Sequence, residues 1–183
     1  MQSPAAQIDT ERLRLRCWTP DDAPLLKAAV DMSLDHLREW MPWAMNEPSD
    51  LEVVRDRLAG YQERFESDED YVYGIFDPTG SEVYGGAGLH PRIGPDALEI
   101  GYWVRVDQVS KGFATEVAQA LTDEGLGIEG IERIEIRCDP LNHASSAVPK
   151  KLGFRHVQTL VGDVMDSGGE PRDTMVWEMH GPD

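Results

Sequence analysis

The chain has 183 residues, with 34 acidic against 17 basic side chains and a formal charge of −17. Its hydrophobic content of 40% suits one globular domain, and no apolar run approaches the ~20 residues of a membrane helix. So negative a chain argues against binding to nucleic acids or anionic membranes and favours a cationic partner such as an amine. An acidic surface that only keeps the protein soluble is the alternative.

The N-terminus and the two cysteines indicate the compartment. Residues 1–6 contain neither a basic start nor an apolar segment, so no secretory signal is predicted. Cys17 and Cys138 are too few and too far apart in sequence for a disulfide framework. We therefore expect a cytoplasmic protein, with a flexible extension over residues 1–9 and a single domain over residues 10–183.

The first half of the chain predicts a strand, two helices and an antiparallel meander. Residues 12–18 alternate between apolar and polar side chains, which is the period of a half-buried strand. Capping boxes over residues 19–22 and 49–52 predict helices that run to about Met32 and Phe65. Three strands follow, separated by turns that contain Pro and Gly: residues 71–76, 82–90 and 98–104.

The second half alternates helices and strands. Apolar residues at helical spacing follow Gly112, and Gly125 and Gly127 are expected to end that helix. The remaining elements are a strand, a helix and a closing pair of strands: residues 131–138, 142–152, 154–164 and 172–179. This order predicts an α/β fold in which helices pack on a mixed sheet.

The junction between the strand at residues 98–104 and the next helix predicts an anion site. The first N–H groups of a helix have no partners within it, and the helix dipole makes that end positive. Gly112 has no side chain to keep a phosphate away from the backbone. The pattern is neither a Walker A loop nor a dinucleotide-binding fingerprint.

Four spaced motifs extend this prediction: EIGYW, SKGFATE, NHASS and KLGF, at residues 99–103, 110–116, 142–146 and 151–154. With TERLRLR at 10–16 and WMPW at 40–43, they resemble the GCN5-related N-acetyltransferase (GNAT) family, and within it the RimJ/RimL-like branch. The resemblance extends from about Thr10 to Met179. It implies the GNAT fold, a mixed and mostly antiparallel sheet with one splayed parallel strand pair, and acetyl-CoA-dependent transfer to an amine.

The resemblance assigns acetyl-CoA to two neighbouring places. The pyrophosphate is expected on the loop and helix start, and the pantetheine in the gap between strands 98–104 and 131–138, where edge N–H and C=O groups need partners. The expected contacts are Trp103, Val104, Val109, Ser110, Lys111, Gly112, Phe113, Ala114, Thr115 and Asn142. The family usually has Arg or Gln where this chain has Val109, with Gln108 one place early, so a backbone amide is the contribution expected there.

Acetyl transfer needs a base for the ammonium and a proton donor for the leaving thiolate. Ser145 matches the serine position that in the RimL-like branch protonates or hydrogen-bonds the CoA sulfur; helix capping is the alternative for Ser145 and Asn142. Glu99 is the expected base. His90 competes with it, because an imidazole titrates near neutrality, and deprotonation through water without either group is the third alternative.

The acceptor site is expected near His90, Trp40 and Trp43, since the segment between the first two helices borders that site in the family. Aromatic faces can hold an ammonium, although such tryptophans also serve as core anchors. The histidines show no metal-ligand spacing, so no metal is expected. The acceptor remains open between a small-molecule or peptide amine and a ribosomal-protein N-terminus. A non-catalytic acyl-CoA-binding module is the alternative of another class, and the oligomeric state, a homodimer included, is open.

Overall fold

A computed structural model describes residues 3–166 and 168–181, which form one sheet flanked by helices. The strands of these residues are β1 (Gln7–Asp9), β2 (Arg14–Cys17), β3 (Tyr71–Phe76), β4 (Val83–His90), β5 (Ala97–Val104), β6 (Arg133–Cys138), β7 (Arg155–Met165) and β8 (Pro171–His180). The α-helices are α1 (Ala23–Asp31), α2 (Leu34–Arg38), α3 (Leu51–Glu66), α4 (Phe113–Leu126) and α5 (His143–Leu152). Short 3-10 turns lie at Pro20–Asp22, Pro42–Asn46 and Val106–Gln108.

The eight described strands form a single sheet in the order β1-β2-β3-β4-β5-β6-β8-β7. Every neighbouring pair is antiparallel except β5 and β6, which are parallel. The parallel pairing begins at Ala97 with Arg133 and stops at Ile100 with Ile136, although β5 continues to Val104. The prediction of a mostly antiparallel sheet with one splayed parallel pair is therefore confirmed.

Two apolar cores lie against this sheet. The larger includes residues of the central strands and the inner side of α4, where Val117, Ala118 and Leu121 recur at helical spacing and are fully buried. The smaller lies among α1, α3 and the ends of β3 and β4, with Trp18 and Phe76 in contact at its centre. The central strands are thus covered on both sides, which makes β4 and β5 a rigid platform for the site.

The N-terminal segment and the passage after α1 differ from the sequence-based expectation. Residues 7–9 form β1, in which Ile8 pairs with Leu15 of β2, so this part is not a flexible extension. A strand of three residues is too short to show a period, and it forms because the edge of β2 offers hydrogen-bonding groups. Helix α2 lies in a passage that the sequence left without regular structure. Residues 1 and 2 of the expected extension, and residues 182 and 183 of the expected domain, lie outside the described residues.

Two expected helix ends are also wrong. Ser49 does not cap α3, because its hydroxyl accepts a hydrogen bond from Arg57 and its N–H donates to Glu47; Asp50 stands at the N-cap instead. Gly125 lies inside α4 rather than at its end. A Cβ at Gly125 would lie 2.6 Å from Cδ1 of Ile134, so the glycine is there to allow close helix–sheet packing.

Candidate active site

The loop between β5 and α4 presents a run of free main-chain donors. Among the described residues, no protein acceptor takes a hydrogen bond from the N–H groups of residues 109–115. Gly112 is the N-cap of α4 and has φ of +82°, in the left-handed region that favours glycine. A row of unpaired N–H groups at the positive end of a helix is a site for an anion such as a phosphate.

The N-terminal segment fixes this loop in place through Glu116, in the first turn of α4. The Glu116 carboxylate accepts hydrogen bonds from the Thr10 hydroxyl at 2.6 Å and from the backbone N–H and Nε of Arg12 at 2.9 and 2.8 Å. Arg12 also donates to the carbonyl of Lys111 at 2.9 Å and lies over the Phe113 ring. Burial acts to raise the pKa of Glu116, but these hydrogen bonds outweigh it and lower the pKa. Neither Arg12 nor Glu116 could be selected from the sequence as support for the loop, because their contact joins residues about 100 positions apart.

A cavity of about 550 Å³ extends along this loop from β5 to α5. Most of the residues expected to bind acetyl-CoA line it: Trp103, Val104, Val109, Ser110, Gly112, Phe113, Ala114, Thr115 and Asn142. Lys111 does not, since its ammonium points to the Gln108 side chain at 2.7 Å. Lys151 of α5 adds a positive charge to the wall of this donor groove.

The backbone N–H and C=O groups of Val104 point into the gap between β5 and β6, but those of Trp103 do not. The N–H of Arg105 donates to Tyr84 of β4, and alternate residues of a strand direct their hydrogen-bonding groups to the same side. The backbone N–H and C=O groups of Trp103 therefore point to β4, whereas those of Val104 and Tyr102 point to the gap. The expected backbone contact from Trp103 is thus wrong. Its indole instead packs edge-on to Trp43, with ring centroids 6.0 Å apart.

Ser145 and Tyr102 meet across the gap. Asn142 caps α5, because its Oδ1 accepts a hydrogen bond from the N–H of Ser145 at 3.0 Å. The Ser145 hydroxyl lies 3.3 Å from the hydroxyl of Tyr102. Burial raises the pKa of Tyr102 despite this hydrogen bond, so the phenol keeps its proton at neutral pH. Tyr102 was missed as a site residue, although strand alternation places it on the face that receives α5.

A second cavity, of about 500 Å³, lies on the α1 and α3 side of β4 and β5. It shares Met41, Tyr102, Trp103 and Ser145 with the donor groove, so the two spaces meet at the Tyr102–Ser145 pair. Trp43 lines this second cavity and is 38% exposed, which excludes a core role. We call this space the acceptor cavity.

Trp40 lines the donor groove and a third cavity, of about 450 Å³, beneath the β7–β8 hairpin. The guanidinium of Arg172 lies 5.1 Å from the centre of its ring. The third cavity shares Glu99, Arg92, Arg137 and Ser145 with the acceptor cavity. Trp40 therefore lies between the donor groove and the third cavity.

Glu99 and His90 lie opposite each other on β5 and β4, but they have different partners. Glu99 is 8% exposed, and its two oxygens accept hydrogen bonds from Arg92 at 3.0 and 2.5 Å, with Arg137 at 3.8 Å. His90 has its Nδ1 2.6 Å from a carboxylate oxygen of Asp70. Both expected bases therefore line the acceptor cavity, and both carboxylate oxygens of Glu99 accept hydrogen bonds from Arg92.

The described residues contain neither a metal-binding cluster nor a membrane-spanning helix. No group of His, Cys, Asp and Glu in residues 3–166 and 168–181 is arranged to hold a metal ion. No helix in these ranges combines the length and the apolar content needed to cross a membrane.

Comparison with known proteins gives the family. A model described as an acetyltransferase (GNAT) domain matches residues 12–155. "Probable N-acetyltransferase YjcK" of Bacillus subtilis (strain 168) is 32% identical over 133 residues, which cover 71% of this chain and 69% of that protein. Among solved structures, the RimL ribosomal L7/L12 alpha-N-protein acetyltransferase in complex with coenzyme A superposes with a TM-score of 0.86 at 23% identity, covering 96% of this chain and 98% of that one. The microcin C7 self immunity acetyltransferase MccE, in complex with acetyl-CoA and AMP, gives a TM-score of 0.85 at 16% identity and covers 93% of each chain. The chain therefore belongs to the GNAT family and is an acetyl-CoA-dependent N-acetyltransferase.

Proposed function

We propose that this protein moves the acetyl group directly from acetyl-CoA to a primary amine of a small molecule or peptide. The observation that carries the proposal is the meeting of the donor groove and the acceptor cavity at Tyr102 and Ser145. An amine in one space can reach a thioester in the other. Burial raises the pKa of both Cys138 and Cys17, which supports transfer without a cysteine-bound intermediate, because the thiolate is the nucleophilic form.

The donor groove has the groups that acetyl-CoA requires. The free N–H groups of residues 109–115 and the positive end of α4 suit the pyrophosphate, with the hydroxyl of Thr115 beside them. The outward N–H and C=O groups of Val104 and Tyr102 suit the amides of the pantetheine arm, as an added strand would. When bound there, acetyl-CoA supplies an activated acyl group and a thiolate leaving group.

The Tyr102–Ser145 pair is the proton donor in this proposal. A thiolate leaves more readily when a nearby acid protonates it. Tyr102 retains its proton because burial raises the pKa of the phenol, and the Ser145 hydroxyl 3.3 Å away extends its reach into the groove. The capping bond from Asn142 holds Ser145 at the start of α5.

The acceptor cavity favours an amine with an apolar or aromatic body. Besides His90, five aromatic side chains line it: Trp18, Trp43, Tyr61, Tyr102 and Trp103. Polar side chains lie on β4 and β5, which carry His90 and Glu99. The chain's charge of −17 raises the local concentration of an ammonium compound, which supports an amine that arrives as a cation.

A protein N-terminus is the second candidate acceptor. RimL, by its description, acts on the N-terminus of ribosomal protein L7/L12, although a likeness at 23% identity shows the fold and leaves the acceptor to be measured. The third cavity supports a longer acceptor, because it continues from Ser145 to the β7–β8 hairpin. Asp163 and Asp166 line its outer end and would attract a basic peptide.

The test is a thiol-release screen with acetyl-CoA against aromatic monoamines and peptides with free N-termini, with mass spectrometry to locate the acetyl group. Release with the amines supports the first candidate, and release confined to peptides supports the second. Acetyl-CoA binding by calorimetry without transfer to any amine would indicate the non-catalytic module. We place the reaction in the cytoplasm, which the free thiols of Cys17 and Cys138 and the use of acetyl-CoA support.

A further inference from the structure

The acceptor cavity contains a histidine–carboxylate pair. Asp70 lies just before β3, and one of its carboxylate oxygens is 2.6 Å from Nδ1 of His90, the last residue of β4. Both side chains are largely buried, with exposed fractions of 25% for Asp70 and 17% for His90. We propose that His90, oriented by Asp70, is the base that removes the proton from the acceptor ammonium; this inference rests on the proposed acetyl transfer.

Two glycines direct the imidazole into the cavity. A Cβ at Gly88 would lie 2.4 Å from Nε2 of His90, and a Cβ at Gly101 would lie 3.5 Å from the same atom. The ring therefore lies over these paired positions of β4 and β5. Gly101 is the first residue of β5 beyond the last pairing with β6, at Ile100. Nε2 thus lies level with the position along β5 at which the two strands separate.

The carboxylate of Asp70 determines which nitrogen of His90 can act. An ionised carboxylate only accepts hydrogen bonds, so Nδ1 carries the hydrogen in the neutral ring and Nε2 presents its lone pair. A carboxylate that holds an imidazole in this tautomer is the arrangement by which serine hydrolases orient their base. In this arrangement His90 is the catalytic residue, and Asp70 is a positioning residue.

Glu99 is less suited to the same step. Its two oxygens are occupied by Arg92, and Arg137 lies 3.8 Å away, so an ammonium would have to displace a guanidinium to reach it. Its place opposite His90 suggests that it holds Arg92 at the edge of the cavity. The charged and titratable groups around His90 in this space come from α3, the segment before β3, the segment after β4, β5 and β6: Arg57, Tyr61, Asp70, Arg92, Glu99, Tyr102 and Arg137.

The reaction consumes an ammonium and a thioester and yields an amide and a thiol. One ammonium proton moves to Nε2 of His90 and later to water. The freed electron pair of the nitrogen forms the N–C bond while the C–S bond breaks. The thiolate gains a proton from the Tyr102–Ser145 pair, and the second proton that the nitrogen loses as it becomes an amide passes through water to that pair and restores it. One proton per turnover is therefore released when the acceptor begins as an ammonium.

The tautomer of His90 can be measured without an acceptor. In the ¹⁵N-histidine-labelled protein, long-range ¹⁵N–¹H correlation spectra separate protonated from unprotonated ring nitrogens. We expect neutral His90 to carry its hydrogen on Nδ1, and we expect this preference to weaken in Asp70→Asn. A hydrogen on Nε2 of the neutral ring in the wild-type protein would overturn the proposal.

A matched pair of acceptors tests the chemistry. 2-Phenylethylamine is an ammonium at neutral pH, whereas O-benzylhydroxylamine has nearly the same size and is uncharged there. With 2-phenylethylamine we expect His90→Gln to lower kcat roughly 100-fold, which is the low end of general-base contributions. With O-benzylhydroxylamine we expect a loss of only a few fold, because no proton has to be removed before attack. Acetyl-CoA affinity, measured by calorimetry, should not change.

His180→Gln is the control variant. His180 also pairs with a carboxylate, Glu178 at 3.2 Å, but it is 53% exposed and does not line the acceptor cavity. Its activity should match that of the wild type. Equal losses with both acceptors in His90→Gln, or no loss with 2-phenylethylamine, would overturn the role of His90 and leave the acetyl transfer standing. A wild-type protein that binds acetyl-CoA and acetylates no amine would overturn both.

Discussion

The donor groove and the acceptor cavity meet at one pair of hydroxyls but are built from different groups. The donor groove presents main-chain N–H groups over residues 109–115, which persist whatever side chains they carry. The acceptor cavity depends on side chains that hold one another, such as Asp70 with His90 and Arg92 with Glu99. Substitution in the groove is therefore expected to change affinity gradually, whereas substitution in the cavity should change turnover sharply.

The largest effect is expected at the junction of the two regions. Tyr102→Phe combined with Ser145→Ala removes both hydroxyls that can protonate the thiolate. We expect kcat to fall roughly 100- to 1000-fold, while acetyl-CoA affinity changes little, because protonation matters only during reaction. Steady-state kinetics and calorimetry check the two expectations. If the hydroxyls act as a pair, the double variant should lose less than the product of the two single-variant losses; losses in kcat that simply multiply would contradict that.

The second-largest effect on kcat is expected from a substitution at Gly88, on the floor of the acceptor cavity. In Gly88→Ala the new Cβ would meet Nε2 of His90 at 2.4 Å and displace the ring. We expect kcat to fall roughly 10- to 100-fold with unchanged acetyl-CoA affinity, because proton removal is impaired while the donor groove is untouched. Gly60→Ala in α3, where the added Cβ meets only the end of the Arg64 side chain, is the control. A matching loss of acetyl-CoA affinity in Gly88→Ala would show that the two regions are not separate.

A substitution in the loop between β5 and α4, which we call the donor loop, should change the affinity for acetyl-CoA rather than kcat. Gly112→Val places a β-branched residue at a φ of +82°, which costs about 1–2 kcal/mol and tilts the N–H groups of the loop. We expect acetyl-CoA to bind roughly 10-fold more weakly, as a change of about 1.4 kcal/mol implies. Gly130→Val is the matched control, since Gly130 has φ of +90° with no atom near its Cβ position. It should lose stability to a similar extent and keep its affinity for acetyl-CoA.

The same contrast explains what the sequence could predict. The donor loop follows from local rules, because a strand, a glycine and a helix start are contiguous and determine the direction of the backbone. Most of the strands and helices were found for the same reason. The predicted backbone contact from Trp103 was wrong because the sequence does not show which residues of β5 direct their N–H and C=O groups to β4. The contacting residues Asp70 and His90 are 20 positions apart in sequence, and Thr10 and Glu116 are 106 positions apart. Such pairs are created by the fold and leave no periodic signal.

The smallest expected effect concerns the support of the donor loop and its dependence on pH. In the folded protein, hydrogen bonds from Thr10 and Arg12 outweigh burial and hold the pKa of Glu116 below its ordinary value of 4.5. The carboxylate therefore stabilises the fold fully above about pH 4.5, and this contribution is lost as the pH falls through the lower, folded-state pKa. We expect Glu116→Gln to reduce the free energy of unfolding by about 1 kcal/mol at pH 7, which is a typical value for such bonds, and by much less near pH 2.

Urea unfolding of the wild type and Glu116→Gln at several pH values measures this difference directly. Glu129→Gln is a suitable control, because Glu129 lies in the turn after α4 and is exposed, so its loss should be nearly neutral at every pH. Acetyl-CoA affinity at pH 7 should fall two- to threefold in Glu116→Gln, roughly the effect of a few tenths of a kcal/mol on a loop that keeps its N–H groups. A stability difference that stays constant from pH 7 to pH 2 would mean that Glu116 acts through packing rather than through its charge.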